Sequence, residues 1–243
     1  MRIQLCGRVC AEIGGERRES GLPGPQGRRL FAYLTLRRFA SLSRPELHAA
    51  LWGERPPAAP DAALSALLSR LRRTLAPVRL DGLRLVLPPG AWVDLEAARD
   101  AIHRAESAVA LGEWGRAWGA AQITLFTARR GFLAGEDLPW IGQARQELDS
   151  LHARALEAYA TAALRLGGTE LATAERAAAD LVSRAPFRES GYRVLMEALA
   201  ARGNPAEALR VYDDLVRLLS DELGVVPSPE SRQLHARLLR PGE

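Results

Sequence analysis

Five side chains on one short stretch, Ser65, Ser69, Arg70, Arg72 and Arg73, carry the most directed chemistry of this sequence. A guanidinium presents five donors in a planar fork. It can grip a phosphate, or the major-groove edge of guanine, through two parallel hydrogen bonds, a geometry lysine cannot copy. Hydroxyls nearby add contacts to phosphate oxygens. Arg28, Arg44, Arg79 and Arg84 extend the same candidate set along the chain. All 33 basic residues are arginine; residues 1–93 hold 15 of them against 7 acidic residues, and residues 94–243 hold 18 against 22. A GC-rich genome explains the missing lysines but not that asymmetry. A chain divided this way has one part suited to a polyanion such as double-stranded DNA and another that is not.

Other chemistries find less support. His48, His103, His152 and His235 fall on separate segments, none at ligand spacing from a cysteine, carboxylate or second histidine, so no metal is expected. Asp213-Asp214 and Asp221-Glu222 share their segment with Arg210 and Arg217 and read as a solvated face. Cys6 and Cys10, read as lying on one extended strand, would be about 13 Å apart at ~3.3 Å per residue, too far for a disulfide. There is no Ser-His-Asp set and no phosphate-binding G-x-x-x-x-G-K-[ST], so neither an enzyme nor a cofactor is expected. No apolar run approaches the ~18 residues of a membrane span, and the N-terminus lacks a signal-like stretch; the expected location is the cytoplasm.

The candidate arginines must be positioned by local structure. Residues 61–76 predict a helix in which Leu64, Leu68, Leu71 and Leu75 lie within about 60° of one another at ~100° per residue. The opposite face holds Ala62, Ala66, Ser69 and Arg73, with Arg70 at its flank: small residues for close approach to a groove, then arginines to reach bases or phosphates. Arg72 falls nearer the core line and is the most structural of the three arginines. Upstream, the alternation of Ile3, Leu5, Val9 and Ile13 predicts a strand or two before the Gly14-Gly15 turn. A loop is expected over residues 22–25 and a helix over 26–38. Ser43-Arg-Pro-Glu46 is a capping box for a short helix that Gly53 stops. Downstream, Val78-Arg-Leu80 and Leu83-Arg-Leu-Val-Leu87 flank an Asp81-Gly82 turn, a strong hairpin signal. Trp92, just past Pro88-Pro-Gly90, is placed to seal the joint between two domains, residues 1–93 and 94–243.

From residue 94 onward the chain reads as helices, broken near Gly112, Gly131, Gly167, Pro186, Gly203 and Gly224. The 36-residue spacing from Gly167 to Gly203 is close to the ~34 of a tetratricopeptide repeat. Alanine-rich faces suit close packing of paired helices. Three repeats and a terminal helix are expected, the early ones irregular.

The order strands, helix, helix, loop, helix, hairpin resembles the winged helix-turn-helix of OmpR-type response regulators, with Ser69-Arg-Leu-Arg-Arg73 similar to the end of their recognition helix. Four later blocks sharpen the likeness: Gly135-Glu-Asp-Leu-Pro-Trp140 with Arg145-Gln-Glu-Leu148; Leu195-Met-Glu-Ala-Leu199; Gly203-Asn-Pro-Ala-Glu-Ala-Leu-Arg-Val-Tyr212; and Glu222-Leu-Gly-Val-Val-Pro-Ser-Pro-Glu230. Together they resemble the Streptomyces antibiotic regulatory protein (SARP) family, in its small two-domain form: a winged helix followed by a bacterial transcriptional activation domain. The expected fold class is mainly α, a winged helix-turn-helix and then a tetratricopeptide-like domain. The resemblance implies an activator that binds direct repeats near the promoter −35 element and recruits RNA polymerase, through sigma factor and core subunits, to a secondary-metabolite gene cluster. Self-association on DNA is implied too, and the loop of residues 53–60 would face the polymerase. Two departures stand out. Ala66 and Leu67 occupy positions where related helices offer polar base readers, and Leu83 replaces an aromatic in a short wing. They support an alternative: an interaction adaptor whose winged helix no longer binds DNA.

Overall fold

The computed structural model describes residues 1–18, 22 and 24–240. Pro23, within the expected loop at 22–25, lies outside the described residues. The chain divides into two compact units: residues 1–97 with 127–148, and residues 98–126 with 149–243.

The first unit opens with β1 (Arg2–Gln4), β2 (Cys10–Ile13) and β3 (Glu16–Arg17). Then come α1 (Gly24–Leu36), α2 (Arg44–Trp52) and α3 (Pro60–Leu75), the hairpin β4 (Arg79–Asp81) and β5 (Arg84–Val86), and β6 (Trp92–Val93). The sheet order is β3-β2-β1-β6, with β1 antiparallel to β2 (Ile3 opposite Ala11) and parallel to β6 (Ile3 opposite Val93). The alternation at 3–13 is therefore two strands. Gly7, at φ +78°, turns the chain between them, and a Cβ there would press within 3.3 Å of the Arg130 Cβ. Cys6 and Cys10 do not share a strand: Cys6 bridges to Phe132 and Cys10 pairs with Gln4, both as free thiols. Trp92 is a strand residue of this sheet, paired with Arg2, whose guanidinium lies 4.8 Å from the indole centroid.

Three helices and the hairpin bury a continuous apolar centre that includes Leu30, Phe31, Leu34, Leu47, Leu51, Leu64, Leu71, Leu75 and Leu85. The capping box forms as its sequence dictates: the Ser43 hydroxyl accepts from the Glu46 amide, and Glu46 reaches back to the Ser43 amide at 2.7 Å. Those bonds hold the Glu46 carboxyl below its ordinary range.

Residues 127–148, far along the chain, complete this unit. Arg145 donates to the Phe132 carbonyl at 2.9 Å and to the Leu133 carbonyl. Trp140 donates its indole N–H to the Ala50 carbonyl at 2.9 Å and packs edge-on against Tyr33. Glu136 accepts from Arg29 Nε at 2.6 Å, while Arg29 also donates to the Leu51 carbonyl. The Gly135–Trp140 block thus fastens its loop to α1 and α2. Asp94 does the same for the sheet: its fully buried carboxylate accepts the amides of Leu5 and Cys6 at 2.9 and 3.0 Å. Burial pushes its pKa up against the pull of those amides and of Arg130.

Helices α4 (Asp94–Ala110), α5 (Trp114–Ala128) and α6 (Pro139–Leu166) belong to the second unit over residues 98–126 and 149–166, and α7 (Leu171–Arg184), α8 (Glu189–Ala201) and α9 (Pro205–Leu223) lie wholly within it, α8 packing against both α7 and α9. Helix α10 (Pro229–Leu238) follows them. Helix α6 runs 28 residues, longer than a repeat helix, which accounts for the uneven early spacing. Alanines make the contacts: Ala108, Ala117 and Ala162 meet, as do Ala163, Ala174 and Ala198. Gly191 lets α8 approach α7 so closely that a Cβ would lie 3.0 Å from Leu181 Cγ. Among the described residues no helix is long and apolar enough to cross a membrane.

Candidate nucleic-acid interface

Helix α3 starts at Pro60 without a side-chain cap; Asp61 in its first turn offsets the exposed amides electrostatically. It buries Leu64, Leu67, Leu68, Leu71 and Leu75. The apolar face is therefore wider than the four-leucine stripe, and Leu67 is a core residue, not one standing in a base-reading position. Ala62, Ser65, Ala66, Ser69, Arg70, Arg72 and Arg73 are exposed.

The candidate residues separate by what already holds them. Arg44 Nε meets Asp61 Oδ1 at 2.6 Å, and its Nη2 donates to the Asp61 carbonyl and to Ser65 Oγ, each at 2.9 Å. Arg44 and Ser65 thereby join the start of α2 to the start of α3, and Arg44 keeps the Asp61 carboxyl below its usual range. Arg72 donates to the Gly82 carbonyl at 3.0 Å, bracing the hairpin turn against α3. Arg84 pairs with Asp81 at 3.2 Å. Register sets Leu80 opposite Leu85 on one face of the hairpin and Arg79, Asp81 and Arg84 on the other.

Ser69, Arg73 and Arg79 have no side-chain hydrogen bond or ion pair among the described residues. Arg70 makes only a 3.4 Å contact to the Ala66 carbonyl of its own helix. Arg28 is not brought to this face; it lines a separate cleft with Arg8 and Arg17. The structure adds neighbours that sequence reading missed: Gln26 and Arg29 lie with Arg70 and Leu67 around one depression. Some forty positions separate these residues, and no local pattern joins them. Among the described residues no group of histidine, cysteine and carboxylate could hold a metal ion.

A helix with exposed arginines beside a two-stranded wing, followed by packed helices, defines a winged-helix fold joined to a helical domain. The family model of the bacterial transcriptional activator domain matches residues 93–239. The chain is 35% identical over its whole length to the regulatory protein AfsR of Streptomyces griseus, and 37% identical to that of Streptomyces coelicolor. It spans about a quarter of the length of either, 25% and 24%. It is 28% identical to the regulatory protein DnrI of Streptomyces peucetius, covering 92% of that protein. The fold matches that of Mycobacterium tuberculosis EmbR, solved with a low-affinity phosphopeptide, at a TM-score of 0.84 and 24% identity, over all of this chain and 65% of that one. The chain belongs to the SARP family of transcriptional regulators. The family match begins at residue 93, whereas the first compact unit includes 127–148, so the homology boundary and the packing boundary differ.

Proposed function

We infer that this chain is a sequence-specific activator that lays α3 in the major groove of direct repeats near a promoter −35 element and recruits RNA polymerase to a secondary-metabolite gene cluster. One observation carries this reading: Ser69 and Arg73 project from α3 away from its five buried leucines with Arg70 at the flank, and among the described residues none of them has a carboxylate partner, beside a wing that offers Arg79. A basic surface left unpaired in this way suits phosphates and base edges. Arg70 reads a base, Arg73 and Arg79 hold the backbone, and Arg44, Ser65, Arg72 and Arg84 set the geometry of helix and wing. Residues 1–93 form the DNA-binding domain and residues 94–243 the activation domain, acting in the cytoplasm. The loop of residues 53–60 and the helical region contact polymerase, sigma factor included, or a second copy on the adjacent repeat.

The test is binding of the full chain to duplexes drawn from its gene neighbourhood and to random duplex, over a range of salt. Saturable binding with a strong salt slope and a preference for one direct-repeat sequence supports the activator. Absence of both at low salt, with the protein folded, favours the adaptor, a reading to which the exposed Ala62 and Ala66 lend support.

A further inference from the structure

The cleft that takes Arg28 away from α3 is built of parts the DNA interface does not use. It encloses about 710 Å³ and is lined by Gly7, Arg8, Val9, Arg17, Arg28, Leu133, Ala134 and Glu136. That is the size range of small-ligand sites. Among the described residues its lining holds three guanidiniums and one carboxylate, that of Glu136, which is already paired with Arg29.

Its walls are fixed before any ligand arrives. The Gly7 amide donates to the Gly131 carbonyl at 2.8 Å, and Cys6 bridges to Phe132, tying the β1–β2 turn to the base of the loop opposite. Arg145 holds that loop through the Phe132 and Leu133 carbonyls. Leu133 sits at φ +42°, a conformation that few residues besides glycine adopt and that the surrounding bonds enforce. Arg17 rests 3.7 Å from the Cys10 sulfur, and Arg28 has no side-chain partner among the described residues. Gathering guanidiniums in one concave site costs electrostatic energy that an anion returns, and planar forks favour phosphate oxygens taken two at a time.

We propose that this cleft binds a small phosphate-bearing anion, with Arg17 and Arg28 as its principal ligands and Arg8 at its rim. Glu136, held by Arg29, limits the site to ligands whose charge is concentrated at one end, such as a pyrophosphate or nucleotide tail.

Calorimetric titration of the full chain with pyrophosphate and with ATP, without DNA and at constant ionic strength, tests the assignment. Saturable binding with one site per chain is expected, together with a melting temperature that rises with ligand concentration. Arg17→Ser and Arg28→Ser should each weaken that affinity about tenfold or more, the loss of a charge-assisted pair, with an unchanged melting temperature in the absence of ligand. Binding of random duplex should be the same in both variants as in the wild type. A response that chloride reproduces at equal ionic strength overturns the proposal, as does unchanged affinity in both variants. Loss of duplex binding by the variants without any small-anion binding also overturns it, because the cleft then belongs to the path of the DNA.

Discussion

Arginines of α3 and its wing differ from many others in how they are paired. In the second unit several meet a carboxylate: Arg154 with Glu106, Arg165 with Glu197, Arg184 with Asp180, Arg188 with Glu157, Arg202 with Glu175 and Arg217 with Asp214. Some of these pairs link one helix to the next; others merely solubilise a face. In the first unit Arg29, Arg38, Arg44 and Arg84 are paired with carboxylates too, but among the described residues Arg70, Arg73 and Arg79 have no such partner, while Arg72 donates to the Gly82 carbonyl. Divided by packing, the first unit holds 18 arginines against 12 acidic residues and the second 15 against 17. The difference teaches that composition alone does not single out a face for the proposed polyanion; the pairing of particular guanidiniums narrows the choice to α3 and its wing. A surface ion pair contributes little stability, so the second unit relies on its alanine contacts instead.

The largest effect should come from cutting the chain at the homology boundary. A fragment of residues 1–93 lacks Asp94, which accepts two buried amides of the sheet, and lacks Trp140 and Arg145. Stability should fall by about 5 kcal/mol or more relative to the same unit in the full chain, several buried groups losing partners at once. Urea unfolding followed by far-UV circular dichroism checks this. A fragment as stable as the intact unit would show that residues 127–148 are only laid on its surface.

Next is the core beneath the proposed recognition face. Leu64 is wholly inaccessible to solvent. Leu64→Ala should lower stability by ~2–5 kcal/mol through a cavity, leaving the charge of the face untouched. Thermal and urea melts measure it; a loss below 1 kcal/mol, on the order of a surface change, would mean α3 is not anchored by this stripe.

The comparison sharpens at the two free arginines of α3. Arg70→Ala should cost ~1–3 kcal/mol in affinity for the cognate duplex and narrow the gap to random DNA. Arg73→Ala should weaken both alike and reduce the salt slope by about one. If fluorescence anisotropy shows neither change with the fold intact, the unpaired arginines of the first unit are no more functional than the paired ones of the second.

The smallest effect lies in the second unit. Burial raises the pKa of Glu189, but hydrogen bonds from Ser231 and Ser228 outweigh it and hold the carboxyl below its ordinary 4.5. A depressed acid stabilises the fold fully above that value and loses its contribution as pH falls through the folded-state pKa. The wild-type urea midpoint should therefore drop on acidification between about pH 5 and 3, and Glu189→Gln should flatten part of that drop. Parallel curves for the two proteins would remove Glu189 from the docking of α10.

Local signals were legible wherever neighbours in sequence are neighbours in space. The Ser43–Glu46 capping box, the Gly53 stop, the turn at Gly82 and the helix breaks of the second unit all follow from contacts within a few residues. The core stripe of α3 was legible too, except for Leu67. Periodicity places Leu67 at the edge of the stripe, and only the start of α1, with Pro25 and Gln26 around the same depression, decides that it is covered. Helical angle likewise put Arg72 nearer the core but could not name the Gly82 carbonyl that receives it.

The sequence by itself determined the helices, the wing, the family and the imbalance of charge, because these depend on side-chain type, short-range hydrogen bonding and blocks of matching residues. Tertiary structure decided the rest. It drew residues 127–148 into the first unit, placed Trp92 in a sheet with Arg2 and set Arg28, one of the candidate arginines, in a cleft with Arg8 and Arg17. The physical reason is common to all three. Each depends on a partner dozens of positions away, and burial and pairing energies that select such partners leave no periodic trace in either segment alone.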